Sequence, residues 1–376
     1  MRPGTAVEVS VLRRGEAKTV ALRLGKLPDE PLQAADSVGR ATSRQGGVNC
    51  HVRLCRRAST ATLPATFLGR DGYPSERRWK ARRSVLKQEY SLAHLTVLGC
   101  TPPEMTYIAA RAGYDYVSIR SIYMGLPHEP NYALPDNPQM LKQTKRALAS
   151  TGVRVHDIEL ARVYEGVHPS KYLPAMEVAA ELGAKAILSS IWGGEREFYI
   201  EKFAEICDLA KPFGLTVDLE YVPIAVVRNL AQALDVLRTV NRTNAGLMID
   251  MHHFHRARDN PADLDAVPRE WFHFAHLCDA NVEIPTRPAE MIRTMRDARL
   301  YFGEGGIDVA GILAHIPHCV YSIEVPNRER QEQLGYAEHA ARCLETLKAY
   351  LVKHARHFET HGESASNRAA TGIERL

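Results

Sequence analysis

The feature that most constrains this chain is a regular alternation of short apolar runs and amphipathic helical stretches from about residue 90 onwards. Eight runs have the length and composition of buried strands: LAHLTVLG (92–99), YDYVSIRS (114–121), VRVHDIEL (153–160), AKAILSSI (184–191), LTVDLEYV (215–222), AGLMIDMH (245–252), FHFAHLCD (272–279) and CVYSIEVP (319–326). Several follow a glycine that can cap the preceding helix, such as Gly113 and Gly152. This rhythm predicts an α/β fold, a (β/α)8 TIM barrel.

The competing α/β architecture is a doubly wound sheet. It would carry a glycine-rich turn after an early strand, and no GxGxxG motif follows one in this sequence. The barrel is therefore the preferred interpretation, and we predict that it occupies residues 89–356.

The segment before the barrel has a different pattern. Residues 5–25 alternate like two short strands around the turn RGEA. Residues 1–30 resemble the C-terminal fragment of a PDZ domain, but the rest of such a domain and its peptide groove are missing. We predict that residues 1–88 are a poorly structured extension, a hairpin followed by largely disordered chain, and that residues 357–376 are a disordered tail.

Composition narrows the class of protein. A hydrophobic fraction of 45% and a charged fraction of 24% are typical of soluble globular proteins. We predict a cytoplasmic protein that does not enter a membrane, since no apolar run could span one and residues 1–25 lack a signal-peptide core. Residues 1–90 hold 18 basic and 8 acidic residues, whereas the remainder holds 30 and 36. The predicted barrel is thus acidic, which argues against a nucleic-acid partner.

Four consecutive runs each end in a side chain that can bind a metal. They are Glu220, Asp250, His276 and Glu324. The C-terminal ends of the strands in a TIM barrel meet at one mouth, so these side chains are expected to converge there. Clustered buried charges need a compensating cation. Three carboxylates and one imidazole suit one divalent ion, Mn²⁺ or Mg²⁺, with Co²⁺ and Zn²⁺ as alternatives.

Histidines are concentrated directly after the sixth run, in DMHHFHRA. His253, three residues after Asp250, is predicted to face the same cavity, where it would contact a metal ligand or a substrate hydroxyl. His252 and His255 are interpreted as flanking or surface residues.

These motifs together resemble the xylose isomerase-like TIM barrels, the family of sugar phosphate isomerases and epimerases. The matching pieces are DLEYVP, DMHH, HLCD, GEGGID and SIEVPN, in that order. The resemblance implies that Glu220, Asp250, His276 and Glu324 are the metal ligands. It also implies that His253 and Arg299 bind substrate, and it leaves open whether the chain forms a homo-oligomer.

Three further charged residues, Arg120, Glu195 and Arg196, follow predicted strands and are weaker candidates for the mouth. The sequence also departs from the family. The stretch NVEIPTRPAEMIRTMRDA (281–298) is longer than the usual loop, and we interpret it as a lid or an interface.

The predicted site suits isomerisation or epimerisation of a small sugar, polyol or keto acid. A divalent ion lowers the pKa of the C–H bond next to a carbonyl and stabilises the ene-diolate. Glu220 and Glu324 are the predicted catalytic pair, one removing the proton and the other returning it.

Three other functions compete with this one. A lyase of the 3-dehydroshikimate dehydratase type would begin with the same proton abstraction. An endonuclease IV-like enzyme would need three zinc ions and further histidines, yet the second run ends in RSIY and residues 299–308 contain no histidine. A barrel without activity is the non-enzymatic alternative.

Overall fold

The structure of the protein, a computed structural model, describes residues 6–13, 16–23, 87–125 and 129–355. The chain divides into two units, Met1–Trp79 and Lys80–Leu376. In the first unit, strands β1 (Ala6–Arg13) and β2 (Glu16–Arg23) form an antiparallel hairpin. The predictions of disorder in the extension and in the C-terminal tail lie outside the described residues, and the domain boundaries stay predictions.

The second unit is a closed barrel of eight parallel strands. In chain order they are β3 (Tyr90–Ala93), β4 (Tyr116–Arg120), β5 (Arg154–Val163), β6 (Ala186–Ile191), β7 (Thr216–Glu220), β8 (Ala245–Asp250), β9 (Phe274–Leu277) and β10 (Val320–Ile323). Each strand pairs with its neighbours in sequence, and β10 pairs with β3 to close the ring. The predicted TIM barrel is confirmed.

Helices connect the strands on the outside of the barrel. They are α1 (Pro102–Ala112), α2 (Pro138–Thr151), α3 (Leu173–Glu181), α4 (Arg196–Ala210), α5 (Leu230–Val240), α6 (Met251–Ala257), α7 (Pro288–Arg296), α8 (Val309–Ala314), α9 (Arg328–Leu334) and α10 (Tyr336–Lys353). Within the described ranges, no helix combines the length and apolarity that a membrane crossing requires.

Local sequence explains where a helix such as α1 begins and ends. The Thr101 hydroxyl accepts a hydrogen bond from the amide of Glu104, and Pro102 occupies the first helical position. Gly113 ends the helix at a φ of 91°, a conformation that glycine adopts without steric cost. Met105 and Ala109 bury the inner face of the helix against the barrel.

A small apolar cluster fills the interior of the barrel. Its buried members are Leu160, Ala186, Leu188, Met248 and Phe274. Met248 and Phe274 come two residues before Asp250 and His276 on the same strands. Side chains two apart face the same side of a strand, so this cluster forms the floor beneath the polar strand ends.

The first strand differs from its predicted position. The apolar run was assigned to residues 92–99, but β3 covers Tyr90–Ala93 and His94–Val97 form a 3₁₀ turn. Side-chain hydrogen bonds hold this turn: the Thr96 hydroxyl donates to the carbonyl of Ile323, and the His94 ring contacts the carbonyl of Cys100. A short apolar run fits either structure, so its periodicity could not reveal the turn.

Candidate metal centre

Four strands place one metal-competent side chain each at the same level of the barrel mouth. Glu220 and Asp250 are the last residues of β7 and β8, His276 lies within β9, and Glu324 directly follows β10. Asp250 and His276 are partners in the β8–β9 register. The side chains are buried, with exposures of 7% for Glu220 and 0% for His276. The predicted convergence is thus present in the structure.

The ligand atoms lie close enough to share one ion. Nδ1 of His276 is 3.9 Å from Oε1 of Glu220, 3.9 Å from Oδ2 of Asp250 and 3.5 Å from Oε2 of Glu324. All four ligand atoms lie within 4.8 Å of one another. Atoms at these separations could each lie about 2 Å from one central ion.

Hydrogen bonding indicates what the cluster lacks. Among the described residues, neither ring nitrogen of His276 has a partner at hydrogen-bond geometry, although both are buried and Nδ1 lies 3.5 Å from Oε2 of Glu324. An unpaired buried polar atom costs roughly 1–3 kcal/mol, so the site is incomplete without a ligand for this ring. Three carboxylate groups and one imidazole are donors that a divalent cation accepts. The residues present therefore fit such an ion.

The titration behaviour agrees with a site built for positive charge. Burial and the neighbouring carboxylates of Asp250 and Glu324 raise the pKa of Glu220 well above its usual value. Burial disfavours the imidazolium of His276, but the carboxylates around it prevail and raise its pKa to about 10. Either a proton on His276 or a divalent cation would offset the excess of negative charge at this site.

Arg299 lies beside Asp250 and Glu324 and is almost fully buried. Its guanidinium contacts Oδ2 of Asp250 at 2.6 Å and Oε2 of Glu324 at 3.0 Å. Burial opposes ionisation of Asp250, but Arg299 prevails and holds the pKa of Asp250 well below its usual range. Nε of Arg299 donates to the carbonyl of Met295. Arg299 also lines the cavity. Its contact with substrate stays a prediction.

The DMHH motif joins a strand directly to a helix. Asp250 ends β8 and caps α6, its Oδ1 accepting the amide of His253 at 2.9 Å. The turn brings Nε2 of His253 to 3.7 Å from Oε1 of Glu220, at the wall of the cavity. Burial lowers the pKa of His253 to about 4, so its ring is neutral at pH 7.

The other two histidines of this segment differ from one another. The interpretation of His252 as a flanking or surface residue was wrong, since its side chain is only 1% exposed and packs edge-on against His253. It forms a second ligand-type group with Asp250 and His253. His255 is partly exposed, which agrees with the prediction.

A buried ion pair lies next to the centre, and only one of its two residues, Arg120, was a candidate from the sequence. Arg120, at the end of β4, donates to Oε2 of Glu159 on β5 at 2.8 Å, and both residues line the cavity. Burial raises the pKa of Glu159. Sequence reasoning missed Glu159, although a carboxylate near the end of a buried strand is the same signal that identified Glu220.

Two weaker candidates lie away from the cavity. Arg196 forms an ion pair with Asp235 on the surface between α4 and α5, at 2.9 Å. Glu195 is the residue before α4 and is exposed. The helix starts at these residues and directs them outward along its own surface.

The GEGGID loop wraps around the aspartate of the HLCD motif. The carboxylate of Asp279 accepts hydrogen bonds from the amides of Gly303, Gly305 and Ile307. A Cβ on Gly305 would overlap the Asp279 carboxylate and the carbonyl of Ala280, so only glycine fits there. The loop thus anchors the end of β9.

The centre opens into a cavity of about 320 Å³. Glu159, Glu220, His253 and Glu324 supply part of its polar lining, and Trp192, Leu188 and Met295 part of its apolar lining. This volume suits a small molecule of sugar size.

A comparison with known protein families decides the relationship. Residues 107–347 match the model of the xylose isomerase-like TIM barrel. The chain belongs to this family. Membership agrees with the eight-stranded barrel and with polar strand ends that share one mouth.

The chain is also similar to individual proteins. The chain is 25% identical over 263 residues to the inosose isomerase of Bacillus velezensis, covering 66% of this chain and 91% of that protein. It is 26% identical over 258 residues to the 3-dehydroshikimate dehydratase of Pseudomonas aeruginosa, covering 63% of this chain and 38% of that protein. A crystal structure of the IolI protein with a zinc atom matches with a TM-score of 0.59 at 21% identity, covering 71% and 99% of the two chains.

Proposed function

We propose that this protein is a divalent-metal-dependent sugar isomerase or epimerase that removes a proton next to a carbonyl. The observation that carries the proposal is the convergence of Glu220, Asp250, His276 and Glu324, whose histidine ring has no hydrogen-bond partner in the described part of the chain. The resemblance to an inosose isomerase over 91% of that protein supports the same class of reaction.

The proposed metal is one Mn²⁺ or Mg²⁺ ion, with Co²⁺ and Zn²⁺ as alternatives, held by those four residues. When bound, it would act as a Lewis acid that polarises the carbonyl and acidifies the neighbouring C–H bond. Three oxygen-donor residues and one imidazole favour the harder ions of this group.

The two glutamates would carry the proton. Burial raises the pKa of Glu324, but His276 and Arg299 prevail and keep it below its usual value, so Glu324 is ionised and can act as a base. Glu220 is the proposed second member of the pair and would return the proton.

His253 and Arg299 would complete the substrate site. The neutral ring of His253 lines the cavity beside Glu220 and can hydrogen-bond a substrate hydroxyl. Arg299 would hold the orientation of Asp250 and Glu324 while presenting its edge to a substrate oxygen. The proposed partner is a small sugar, polyol or keto acid. A cytoplasmic location and a homo-oligomer stay predictions.

A lyase is the second candidate, and the similarity to a 3-dehydroshikimate dehydratase favours it. The first step would be the same proton abstraction, followed by loss of a β-hydroxyl. The described residues give no support to a three-zinc endonuclease, because their two ligand-type groups share Asp250.

One assay separates these functions. The Mn²⁺-loaded protein is incubated in D₂O with ketoses, inososes and 3-dehydroshikimate, and NMR follows exchange of the protons next to the carbonyl. An isomerase or epimerase exchanges the proton and yields an isomer, whereas a dehydratase yields an aromatic product that absorbs in the ultraviolet. Absence of exchange with every compound would contradict both proposals and favour a barrel without activity.

A further inference from the structure

Arginines are concentrated around the cavity. Those that line it are Arg120, Arg162, Arg296, Arg299 and Arg328. This is unexpected in a barrel that is net acidic, and the five do not have the same surroundings.

Three of these arginines are paired with carboxylates. Arg120 binds Glu159 at 2.8 Å, Arg299 binds two of the metal-centre carboxylates, and Arg328 lies 3.3 Å from Asp297. These contacts account for their charges within the protein itself.

Arg162 and Arg296 are different. The side chain of Arg162, near the end of β5, donates to the carbonyl of Met124 at 3.4 Å and lies over the ring of Tyr164. Arg296, the last residue of α7, has no side-chain hydrogen bond within the part of the chain that the structure describes. Neither arginine has an ion pair with a carboxylate of that part. Both are partly buried at the cavity wall.

The charges of the metal centre do not compensate these two arginines. Three carboxylates would be balanced by Arg299 and a divalent cation, and Arg120 and Arg328 are each neutralised by their own partner. Burial lowers the pKa of Arg296, and the guanidinium groups of Arg120 and Arg162 lower it further, which is the effect of like charges brought together. The carboxylates of Asp297 and Glu129 offset part of this effect. Two guanidinium groups without a direct ion pair in the described part of the chain thus lie at one side of the cavity.

We propose that Arg162 and Arg296 bind an anionic group of the substrate, a carboxylate or a phosphate, while the reacting end of the substrate lies at the metal centre. Guanidinium groups bind both kinds of anion through paired hydrogen bonds. This inference rests on the proposed function and gives its substrate class: a sugar phosphate or a hydroxylated keto acid rather than a neutral sugar.

Arg296 is supplied by a helix over the cavity. Helix α7 lies within residues 281–298, the stretch that the sequence predicts to be a lid or an interface. Met295 and Ile292 of the same helix also line the cavity, so the helix supplies both apolar cover and charge. The stretch interpreted as a lid or an interface would then be a specificity element.

The test uses matched ligands that differ in charge. Shikimate is compared with its methyl ester, and D-ribulose 5-phosphate with D-ribulose, by calorimetric titration of the Mn²⁺-loaded full-length protein. In at least one pair the anion should bind about tenfold or more tightly than its neutral partner, since hydrogen bonds between charged groups are strong. The pair that shows the preference tells whether the anion is a carboxylate or a phosphate.

Three variants locate the effect. Arg296→Gln and Arg162→Gln should each remove most of the preference for the anion and leave binding of the neutral partner unchanged. Arg293→Gln is the matched control, because Arg293 lies on the same helix, is exposed and pairs with Glu290. It removes the same charge from the surface and should preserve the preference.

Equal binding within both pairs would overturn the inference, as would a loss in Arg293→Gln as large as that in Arg296→Gln. Failure of the proposed function has a different signature, since the preference for an anion would persist while no compound exchanged its protons with D₂O. Conversely, proton exchange on neutral ketoses without any preference for an anion would overturn the inference alone.

Discussion

Strand β7 carries two buried carboxylates, Asp218 and Glu220, whose surroundings are opposite. Asp218 accepts a hydrogen bond from the Thr216 hydroxyl at 2.7 Å, and Nδ1 of His273 lies 2.5 Å from its other oxygen. Glu220 faces two further carboxylates and a histidine ring that finds no hydrogen-bond partner among the residues that the structure describes. The comparison shows that burial alone does not identify a functional carboxylate. A buried carboxylate is a candidate for function when its neighbours do not fully compensate its charge.

The largest expected effect concerns catalysis at the mouth. Glu220→Gln or Glu324→Gln should reduce turnover by roughly 10³-fold, within the range for loss of a general acid or base, because the amide cannot carry the proton. The rate of solvent-deuterium exchange into substrate measures this. Asp218→Asn is the control on the same strand and should retain activity. Near-normal turnover in both glutamine variants would remove the distinction between Asp218 and Glu220.

Metal removal should affect stability as well as activity. An ion present at 100 times its dissociation constant stabilises the folded state by about 2.7 kcal/mol, which corresponds to roughly 5–10 °C in melting temperature for a domain of this size. Thermal melts with and without a chelator measure the shift. Asp218→Asn should show the same shift as wild type, whereas Asp250→Asn should show none. An unchanged melting temperature on chelation of wild type would argue against a bound ion.

The next effect concerns the hydrogen-bond network of Asp218. Asp218→Asn should lower the free energy of unfolding by about 1–3 kcal/mol, because it weakens hydrogen bonds within a buried network. Denaturant titration measures the change. Metal affinity should stay at the wild-type value, since His273 and Thr216 are not ligands. A loss of metal binding in this variant would show that the Asp218 network and the metal centre are coupled.

The smallest effect is a pH dependence of the same network. Burial lowers the pKa of His273, but its hydrogen bond with Asp218 prevails and leaves the folded pKa above 6.5. The pair therefore stabilises the fold fully below pH 6.5 and loses that contribution as the pH rises through the folded pKa. The stability difference between wild type and Asp218→Asn should shrink from pH 6 to pH 9. A stability difference that grows over this pH range would contradict a raised pKa of His273.

The parts of the site that depend on strand order could be predicted from sequence. The alternation of apolar runs and helices predicted the barrel, and the topology of a barrel then requires Glu220, Asp250, His276 and Glu324 to meet. Their convergence needs no knowledge of loops, because each of the four residues lies on a strand or directly after one.

Contacts that depend on helix placement could not be predicted. The burial of His252 follows from α6 starting directly after Asp250, and the sequence alone does not show where that helix packs. Arg299 was expected to contact substrate, and its bonds to Asp250 and Glu324 arise because the chain after α7 returns to the ends of the strands. The pairing of Arg120 with Glu159 likewise needs the register of two strands.

The central claim is that four side chains from neighbouring strands hold one divalent ion, and metal stoichiometry tests it most directly. Wild-type protein and the variants Asp218→Asn and His276→Gln are dialysed against Mn²⁺ and then against metal-free buffer, and bound metal is measured by elemental analysis. We predict about one ion per chain in wild type and Asp218→Asn and strongly reduced binding in His276→Gln, because removal of one ligand weakens the site severely. Equal metal content in all three proteins, or none in wild type, would contradict the claim.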